Sequence, residues 1–376
     1  GALVGSDTLS GSLTRAAGTN AGTYAISQGT VTSASNPNYT ITFVGGTLTI
    51  NKATQSALTL TSTSAFYGVP LTLTFSGGSV DGAVTYAVAD AGSAGCSISG
   101  TTLTTTDGNG TTCTVSVTRA EGTNHLARSS SATTVTVGRQ AITVTAASKT
   151  KVYGDSDPAL TYTITTGTLV NGDVLSGALE RVSGEGVGAK AISSTLTHTN
   201  YDITYVSANL TITQRPITLT AANKTKVYGG TDPALTYTLT SGSLASGDSF
   251  ASSFTGAIAR NVGENVGTYA IGIGTLANAN YLITCVDATF SVTGATQGGF
   301  TLSAASTTID YLTTTTLSIS GGTGDGAVTY EVTNGTGQCS LSGTTLTGDG
   351  AGTCTVTATK AAQGNYLSAT SNTVTI

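Results

Sequence analysis

Apolar residues alternate with Thr or Ser along much of the chain. In Ile142–Thr145, Leu160–Ile164 and Cys113–Val117, every second side chain is apolar. A period of two is typical of β-strands that bury one face. Gly, Asn and Asp interrupt the strands about every 8–12 residues, a spacing typical of small antiparallel sandwiches. The pattern therefore predicts an all-β protein.

Two segment types repeat along the chain. In type A, residues 142–164 return at 217–239 with the same Lys-Thr-Lys-Val-Tyr-Gly and Asp-Pro-Ala-Leu-Thr-Tyr-Thr runs, and both copies later close on Asn-Tyr and a strand. In type B, Gly-Ala-Val-Thr-Tyr at 82–86 returns at 326–330. Repeats at this scale predict an array of small domains.

The repeat order predicts five domains. They are 1–52 (the second half of type A only), 53–137 (type B), 138–214 and 215–293 (both type A), and 294–376 (type B). Linkers of one to three residues, such as Arg139-Gln140, leave no flexible hinge. We therefore expect tandem small antiparallel β-sandwiches, arranged end to end as an elongated rod.

The segment 1–52 has no counterpart of the first strands of type A. Half a sandwich exposes its apolar face and an unpaired strand edge, which is a template for another strand. We expect either upstream residues of a longer chain or a strand from a neighbouring molecule to complete it. The chain contains no Met, so we expect a processed product or a fragment.

The type A motifs resemble the MBG domain, the mostly-β, Gly-rich repeat of large bacterial surface and secreted proteins. These motifs are Thr-Lys-x-Tyr-Gly, a central Gly-Asp, Gly-Thr-Tyr-Ala-Ile and a closing Asn-Tyr-x-Ile-Thr; residues 188–191 depart from the third with Gly-Ala-Lys-Ala. The type B segments are similar to bacterial Ig-like domains of the same adhesins. Both resemblances imply tandem small Ig-like antiparallel β-sandwiches that act as extracellular spacers and carry no catalytic residue.

Composition narrows the choice of partners. Only 9% of residues are charged, the formal net charge is −5, and the 14 basic residues are scattered. Phosphate recognition needs clustered cations, so we expect no nucleic-acid partner. No apolar stretch approaches the roughly 20 residues that span a bilayer, so we expect no membrane insertion of this segment.

Four of the five cysteines occupy equivalent positions in the two type B segments. They are Cys96 and Cys113, and Cys339 and Cys354. Equivalent pairs in small domains predict intradomain disulfides and an oxidising compartment, with buried free thiols as the alternative. Cys285 is left unpaired, and we expect it to pack in or against a sheet or, alternatively, to form an intermolecular bond.

Candidate chemistry is sparse. Gly247–Phe250 superficially resembles a serine hydrolase block, but its equivalents in the other repeats lack the serine. His125 and His198 lie in different repeat types without ligands at metal spacing. Asp155 could bind calcium together with Asp157, but Gly230 replaces Asp155 in the next copy. We predict no catalytic, cofactor-binding or metal site, no cofactor and no enzyme.

Two further patterns bear on function. An isopeptide bond would need a buried Lys beside a carboxylate, and with Lys nearly absent from type B and Glu scarce throughout, we expect none. Most Tyr residues recur at strand positions, as Tyr153 and Tyr228 do, which indicates packing in a core or sheet rather than a glycan platform.

The sequence thus predicts a non-catalytic structural segment of a bacterial extracellular adhesin stalk or surface filament. The alternative is a glycan- or receptor-binding module of an adhesin. Expected partners are neighbouring copies or further repeats of the same protein, with a host or surface glycan or protein bound through a region outside this chain. The expected location is extracellular, at the bacterial cell surface.

Overall fold

A computed structural model describes residues 1–376, and nearly all of its regular structure is β-strand. The single helix, α1 (Phe250–Ser253), has four residues and begins after the N-cap Ser249. No helix is long or apolar enough to cross a membrane. The predicted all-β class is therefore confirmed.

The chain packs as two compact units. The first comprises Gly1–Lys149, Ala159–Val182 and Ala191–Leu210, and the second comprises Thr150–Pro158, Ser183–Lys190 and Thr211–Ile376. The predicted division into five domains is a finer one and stays a prediction. We name the five segments by their residue ranges, 1–52, 53–137, 138–214, 215–293 and 294–376.

Segment 1–52 forms one antiparallel sheet of order β1-β2-β3. Its strands are β1 (Thr14–Arg15), β2 (Gly22–Ser27) and β3 (Gly46–Ile50). Its apolar side chains are largely open to solvent, with Val4 74% and Leu13 54% exposed. This segment therefore has little core of its own.

Segment 53–137 buries its core between short sheets. Its strands are β4 (Leu58–Leu60), β5 (Ser64–Phe66), β6 (Leu71–Thr72), β7 (Phe75–Gly77), β8 (Val84–Asp90), β9 (Ser97–Ser99), β10 (Thr102–Thr104), β11 (Thr111–Arg119), β12 (Arg128–Ser129) and β13 (Thr133–Gly138). One sheet has the order β12-β11-β13-β5, with β8 also on β11, and two smaller sheets are β6-β10-β9 and β4-β7. The alternation along β11 buries Cys113, Val115 and Val117 on one face.

The two type A segments repeat one strand pattern. The strands of 138–214 are β14 (Gln140–Ala146), β15 (Lys149–Val152), β16 (Tyr162–Thr166), β17 (Leu179–Arg181), β18 (Gly188–Ser194), β19 (Tyr201–Val206) and β20 (Asn209–Thr213). Those of 215–293 are β21 (Arg215–Ala221), β22 (Lys224–Val227), β23 (Tyr237–Ser241), β24 (Ala259–Arg260), β25 (Gly267–Gly272), β26 (Tyr281–Val286) and β27 (Ala288–Thr293). The sheet β16-β14-β19 corresponds to β23-β21-β26, and the sheet β15-β20-β18-β17 corresponds to β22-β27-β25-β24.

Segment 294–376 follows the type B plan. Its strands are β28 (Thr301–Ala304), β29 (Thr314–Ser320), β30 (Val328–Asn334), β31 (Gln338–Ser342), β32 (Thr345–Gly350), β33 (Cys354–Lys360), β34 (Ala369–Thr370) and β35 (Val374–Thr375). They form the sheet β28-β29-β32-β31 and the sheet β30-β33-β34, with β35 also on β33. Leu346, Cys354 and Val356 are fully buried.

The sheets are mixed, which corrects the prediction of antiparallel sandwiches. β14 runs parallel to β19, β21 to β26, β22 to β27, and β13 to β5. Other pairs, such as β2 with β3 and β11 with β8, run antiparallel. Alternation of apolar and polar residues fixes which face of a strand is buried, but it carries no information on the direction of the neighbouring strand.

Candidate functional site

Two disulfides close loops in the type B segments. The predicted pairs Cys96–Cys113 and Cys339–Cys354 are both bonded, with Cα atoms 6.2 Å and 6.3 Å apart. The bonded cysteines are 17 and 15 residues apart in the sequence, and for loops of this length the chain-entropy model gives about 3 kcal/mol. They brace the two segments at equivalent places in the fold.

Cys285 is the free cysteine of the chain. It lies on β26 opposite Leu219 of β21 and is half-buried. Burial, with a smaller contribution from Asp287, raises the pKa of its thiol. The side chain therefore belongs to the sheet, one of the two placements expected for it.

The side chains weighed for catalysis or metal binding are held in local contacts. Ser249 caps α1, and Asp155 accepts a hydrogen bond from Arg215 at 2.8 Å. His125 Nδ1 lies 2.7 Å from Asp81 Oδ1, and His198 Nε2 lies 3.7 Å from Asp173 Oδ1. No group of three or more His, Cys, Asp or Glu residues is placed to hold a metal ion.

Each complete type A segment nevertheless buries a lysine beside two carboxylates. Lys151 Nζ lies 2.6 Å from Asp157 Oδ1 and 2.5 Å from Glu185 Oε2. Burial lowers the pKa of Lys151, but the hydrogen bonds to the two carboxylates outweigh it and the net pKa is raised. A protonated amine is no nucleophile, so this environment disfavours amide formation. The absence of isopeptide bonds stays a prediction.

Lys226 repeats this arrangement with Asp232 and Glu264 in segment 215–293. Hydrogen bonds from Arg260 and then Lys226 lower the pKa of Asp232 to about 2. Hydrogen bonds from Lys226 and then Arg260 also lower the pKa of Glu264, so both carboxylates are ionised at neutral pH. Lys151 and Lys226, the second lysine of each Lys-Thr-Lys-Val run, therefore anchor the loops that follow.

Three Tyr-Gly dipeptides form the same turn at the end of a strand. In each turn the backbone N–H of the fourth residue donates to the carbonyl of the first, from Val69 to Phe66, Asp155 to Val152 and Gly230 to Val227. The Gly at the third position has φ of +64°, +82° and +78°, at 68, 154 and 229 respectively. A positive φ at that position favours Gly, which explains the dipeptide.

A hydrogen bond fixes each of these tyrosines at the end of its segment. The backbone N–H groups of Tyr67, Tyr153 and Tyr228 donate to the carbonyls of Gly138, Thr213 and Thr293, at 2.9, 2.9 and 2.8 Å. Those carbonyls belong to the last residues of β13, β20 and β27. Each Tyr-Gly turn therefore lies beside the start of the following segment.

Within the first unit, Tyr67 fills a site in segment 138–214. Its ring packs edge-on against Tyr201, with centroids 5.5 Å apart, and both rings are 2% exposed. Both phenol hydroxyls donate to Asp173 Oδ2, at 2.8 Å from Tyr67 and 2.9 Å from Tyr201. Burial first, and then Asp173, raises the pKa of Tyr201 to about 12. Tyr67 belongs to the buried cluster of the following segment, with Ile142 and Val144.

Within the second unit, Tyr153 meets segment 215–293 in the same way. Its ring lies edge-on to Tyr281 at 5.5 Å, and Tyr281 donates to Asp248 Oδ2 at 2.6 Å. The hydrogen bond from Tyr281 lowers the pKa of Asp248. A Cβ atom on Gly154 would collide with Ala245, so the turn also needs Gly for close approach.

The two sites share a local framework, which we call the receiving site. It consists of a turn closed by Asp173 N–H to Val170 O, or Asp248 N–H to Ala245 O. The first residue of the turn, Val170 or Ala245, donates its N–H to the hydroxyl of Tyr201 or Tyr281, in both cases at 2.8 Å. The receiving site therefore joins the Gly-Asp and Asn-Tyr motifs of one segment around the tyrosine of the previous one.

An asparagine fastens the linker at four places. The backbone carbonyls of Asn124, Asn200, Asn280 and Asn365 accept the N–H groups of Ala53, Gln140, Arg215 and Ala295, at 2.8–2.9 Å. All four side chains also accept from the preceding segment, as Asn280 does from Val187 N–H at 3.0 Å and Asn200 from Gly108 N–H at 3.3 Å. Asn124 accepts likewise from Ala21, and Asn365 from Val266.

The turn at Tyr228 meets a type B segment without a carboxylate pocket. Its ring packs edge-on against Tyr366 with centroids 5.7 Å apart. No atom lies within 4 Å of the place that a Cβ on Gly229 would occupy. This junction therefore keeps the ring pair and the asparagine but is more open.

Sequence reasoning placed these tyrosines in a core or sheet and missed that the core belongs to the next segment. It also did not single out Tyr67-Gly68, although the dipeptide matches those at 153 and 228. A second signal was present in Leu-x-x-x-Asp at 3–7, 169–173 and 244–248, which contains the turn of the receiving site. Repetition marked the residues, but it could not show which neighbour they contact.

The folds and junctions define a tandem-repeat protein of small all-β domains. The family model of the MBG domain (YGX type) matches residues 1–49, 142–211 and 217–291, just over half of the chain. The chain therefore belongs to the MBG family, and the resemblance of the type A segments is confirmed. The Ig-like assignment of the type B segments stays a prediction. No curated protein matches the sequence.

Two solved structures are similar over most of the chain. Domains EC1–4 of Drosophila N-cadherin are 9% identical, and the match covers 94% of this chain and 81% of that one, with a TM-score of 0.20. Domains 4–9 of the surface layer protein SbsC are 13% identical, with coverage of 93% and 69% and a TM-score of 0.20. At these scores neither structure adds to the argument.

Proposed function

We propose that this chain is a non-catalytic structural segment of a bacterial extracellular adhesin stalk or surface filament. The observation that carries the proposal is the repeated junction, in which a Tyr-Gly turn of one segment enters a receiving site of the next. A spacer needs the same joint repeated along the chain, because each joint then sets the same angle between successive domains.

The chemistry of the junction supports a stiff joint. Tyr67 and Tyr201 exclude water from their shared carboxylate contact, and hydrogen bonds to a charged acceptor are about twice as strong as neutral ones. An edge-on ring pair adds about 0.5–1.5 kcal/mol beyond the buried area. The linkers add little freedom, since only Arg139 separates β13 from β14. Bending a joint would break these contacts together.

The disulfides support an extracellular location. Such bonds persist in oxidising compartments and are rare in the cytosol. The proposed partners are neighbouring copies or further repeats of the same protein, with no nucleic acid and no membrane insertion of this segment. If the location is correct, protease added to intact source cells removes the chain. In a separate sample without protease, alkylation of the intact cells before lysis should label Cys285 as the only free thiol. Five free thiols would contradict the proposal.

Small-angle X-ray scattering of the full chain tests the spacer function. Five small domains in line would give a maximum dimension of about 150 Å, from about 30 Å each. The triple variant Tyr67→Ala, Tyr153→Ala, Tyr228→Ala should give the scattering of a flexible chain, because each joint loses its ring pair. The matched control is Tyr311→Ala, which removes an exposed tyrosine of a similar turn.

Two outcomes would contradict the proposal. A compact particle for the unmodified chain would exclude a spacer. A triple variant as stiff as the control would show that the junctions do not set the geometry. The corresponding triple Phe variant keeps the rings and removes only the hydroxyls. Because its ring packing is preserved, comparing it with the Ala variant separates loss of the joint from loss of folding.

A further inference from the structure

Segment 1–52 contains a third receiving site. The N–H of Asp7 donates to the carbonyl of Val4 at 3.1 Å, closing the same turn as in the other two sites. Tyr39 donates its hydroxyl to Asp7 Oδ2 at 2.7 Å and accepts the N–H of Val4 at 2.9 Å. These are the bonds that Tyr201 and Tyr281 make with their own Asp and turn.

This third site is open. Asp7 is exposed, and Tyr39 is half-exposed, whereas Tyr201 and Tyr281 are each 2% exposed beneath the incoming ring. The hydroxyl of Tyr39 makes both of its framework bonds without a second tyrosine beside it. The site is therefore assembled before any ring enters, and the place that Tyr67 takes at the equivalent site is accessible.

We propose that Val4, Asp7 and Tyr39 bind the Tyr-Gly turn of a further repeat domain of type A or type B. The incoming ring lies edge-on to Tyr39, and its hydroxyl donates to the free lone pair of Asp7. The proposal extends the junction function proposed above from joints within the chain to one made with a further domain. The occupant is identified by comparison with the two other receiving sites, at Asp173 and Asp248, each of which holds a Tyr-Gly turn.

The incoming turn needs Gly after Tyr. A Cβ at Gly68 would collide with Val170, and one at Gly154 with Ala245; Val4 is the equivalent residue in the open site. The chain contains one related turn whose tyrosine is free, at Tyr311, and there the next residue is Leu312. Tyr311 precedes the shared Gly-Ala-Val-Thr-Tyr segment by the same distance as Tyr67 does.

The free turn already has the correct backbone. The N–H of Thr313 donates to the carbonyl of Asp310 at 3.0 Å, and Leu312 has φ of +62°, close to the +64° of Gly68. Tyr311 and Leu312 are 69% and 63% exposed. The Leu312 side chain is the group that would collide at a receiving site, so Leu312→Gly gives the chain a Tyr-Gly turn to match its open site.

Sedimentation velocity of the full-length Leu312→Gly variant tests the proposal. Its weight-average sedimentation coefficient should rise with concentration up to about 1 mM, the effective concentration that a short linker supplies at the internal joints. Leu312→Ala is the matched control and should not associate, because it keeps the Cβ. Adding Asp7→Asn or Tyr311→Phe to Leu312→Gly should abolish the association, whereas Glu331→Gln, an exposed charge change elsewhere, should not.

Each contrary result would overturn the proposal. A Leu312→Gly chain that stays monomeric at every concentration shows that the open site does not bind the turn. Association that survives both Asp7→Asn and Tyr311→Phe belongs to another surface. Circular dichroism of each variant confirms folding. Neither result bears on the internal joints, which the scattering experiment tests separately.

Discussion

The joint at Tyr153 and the joint at Tyr228 use the same ring pair in different surroundings. Tyr153 lies over Tyr281 beside Asp248, whereas Tyr228 lies over Tyr366 with no such carboxylate. The first is buried and tight enough to exclude a Cβ on Gly154, while the second leaves space at Gly229. The ring pair and the asparagine are therefore the common joint, and the carboxylate pocket is an addition of the type A receiver.

The largest difference between the two joints should come from removing the receiving tyrosine. Tyr281 is 2% exposed and part of the core of segment 215–293, so Tyr281→Ala should cost about 3–5 kcal/mol of that segment's stability. Tyr366→Ala, at a half-exposed ring, should cost about 1–2 kcal/mol. Hydrogen exchange followed peptide by peptide measures each local free energy of opening. Equal losses would contradict the comparison.

A smaller effect is expected from adding one methyl group to each turn. Gly154→Ala and Gly229→Ala both place a side chain at positive φ, which costs about 1–2 kcal/mol. Gly154→Ala also collides with Ala245, so its total cost should be about 2–3 kcal/mol. Thermal unfolding by calorimetry gives both values. If Gly229→Ala is as costly as Gly154→Ala, the open description of the second joint is wrong.

The sequence predicted the elements of this comparison better than their arrangement. Alternation predicted the all-β class, the resemblance of the type A motifs predicted the MBG family, and equivalent positions in the type B repeats predicted the cysteine pairs. They did not predict the parallel pairing of β14 with β19 or β21 with β26, because a period of two carries no strand direction. They also could not assign Tyr153 to the core of the next segment. A tyrosine recurs at the same repeat position whether its ring packs in the core of its own segment or in that of the next one.

Asp248→Asn isolates the carboxylate that distinguishes the first joint. Asn keeps the size and one acceptor oxygen but loses the charge, and hydrogen bonds to charged groups contribute about 1.5–3 kcal/mol against about 1 for neutral ones. The expected loss is therefore about 1–2 kcal/mol in segment 215–293, with segment 294–376 unchanged. Hydrogen exchange measures both. The control Asp349→Asn, at an exposed carboxylate, should leave both segments as they are. A loss that spreads equally to 294–376 would argue against a local role.

Alkaline titration should affect the type A joints without any substitution. Burial first, and then the neighbouring carboxylate, raises the pKa of Tyr201 and of Tyr281 to about 12, above the ordinary value near 10. A group whose pKa is higher in the folded state contributes stability that is complete below the unfolded value and is lost as pH rises through the folded one. These joints should therefore weaken between about pH 10 and 12, as phenolate forms beside Asp173 and Asp248. The tyrosinate absorbance of the wild type minus that of Tyr281→Phe gives the titration of this one ring. If this absorbance difference appears at the same pH as the titration of most other tyrosines, the phenol of Tyr281 is not buried in the joint.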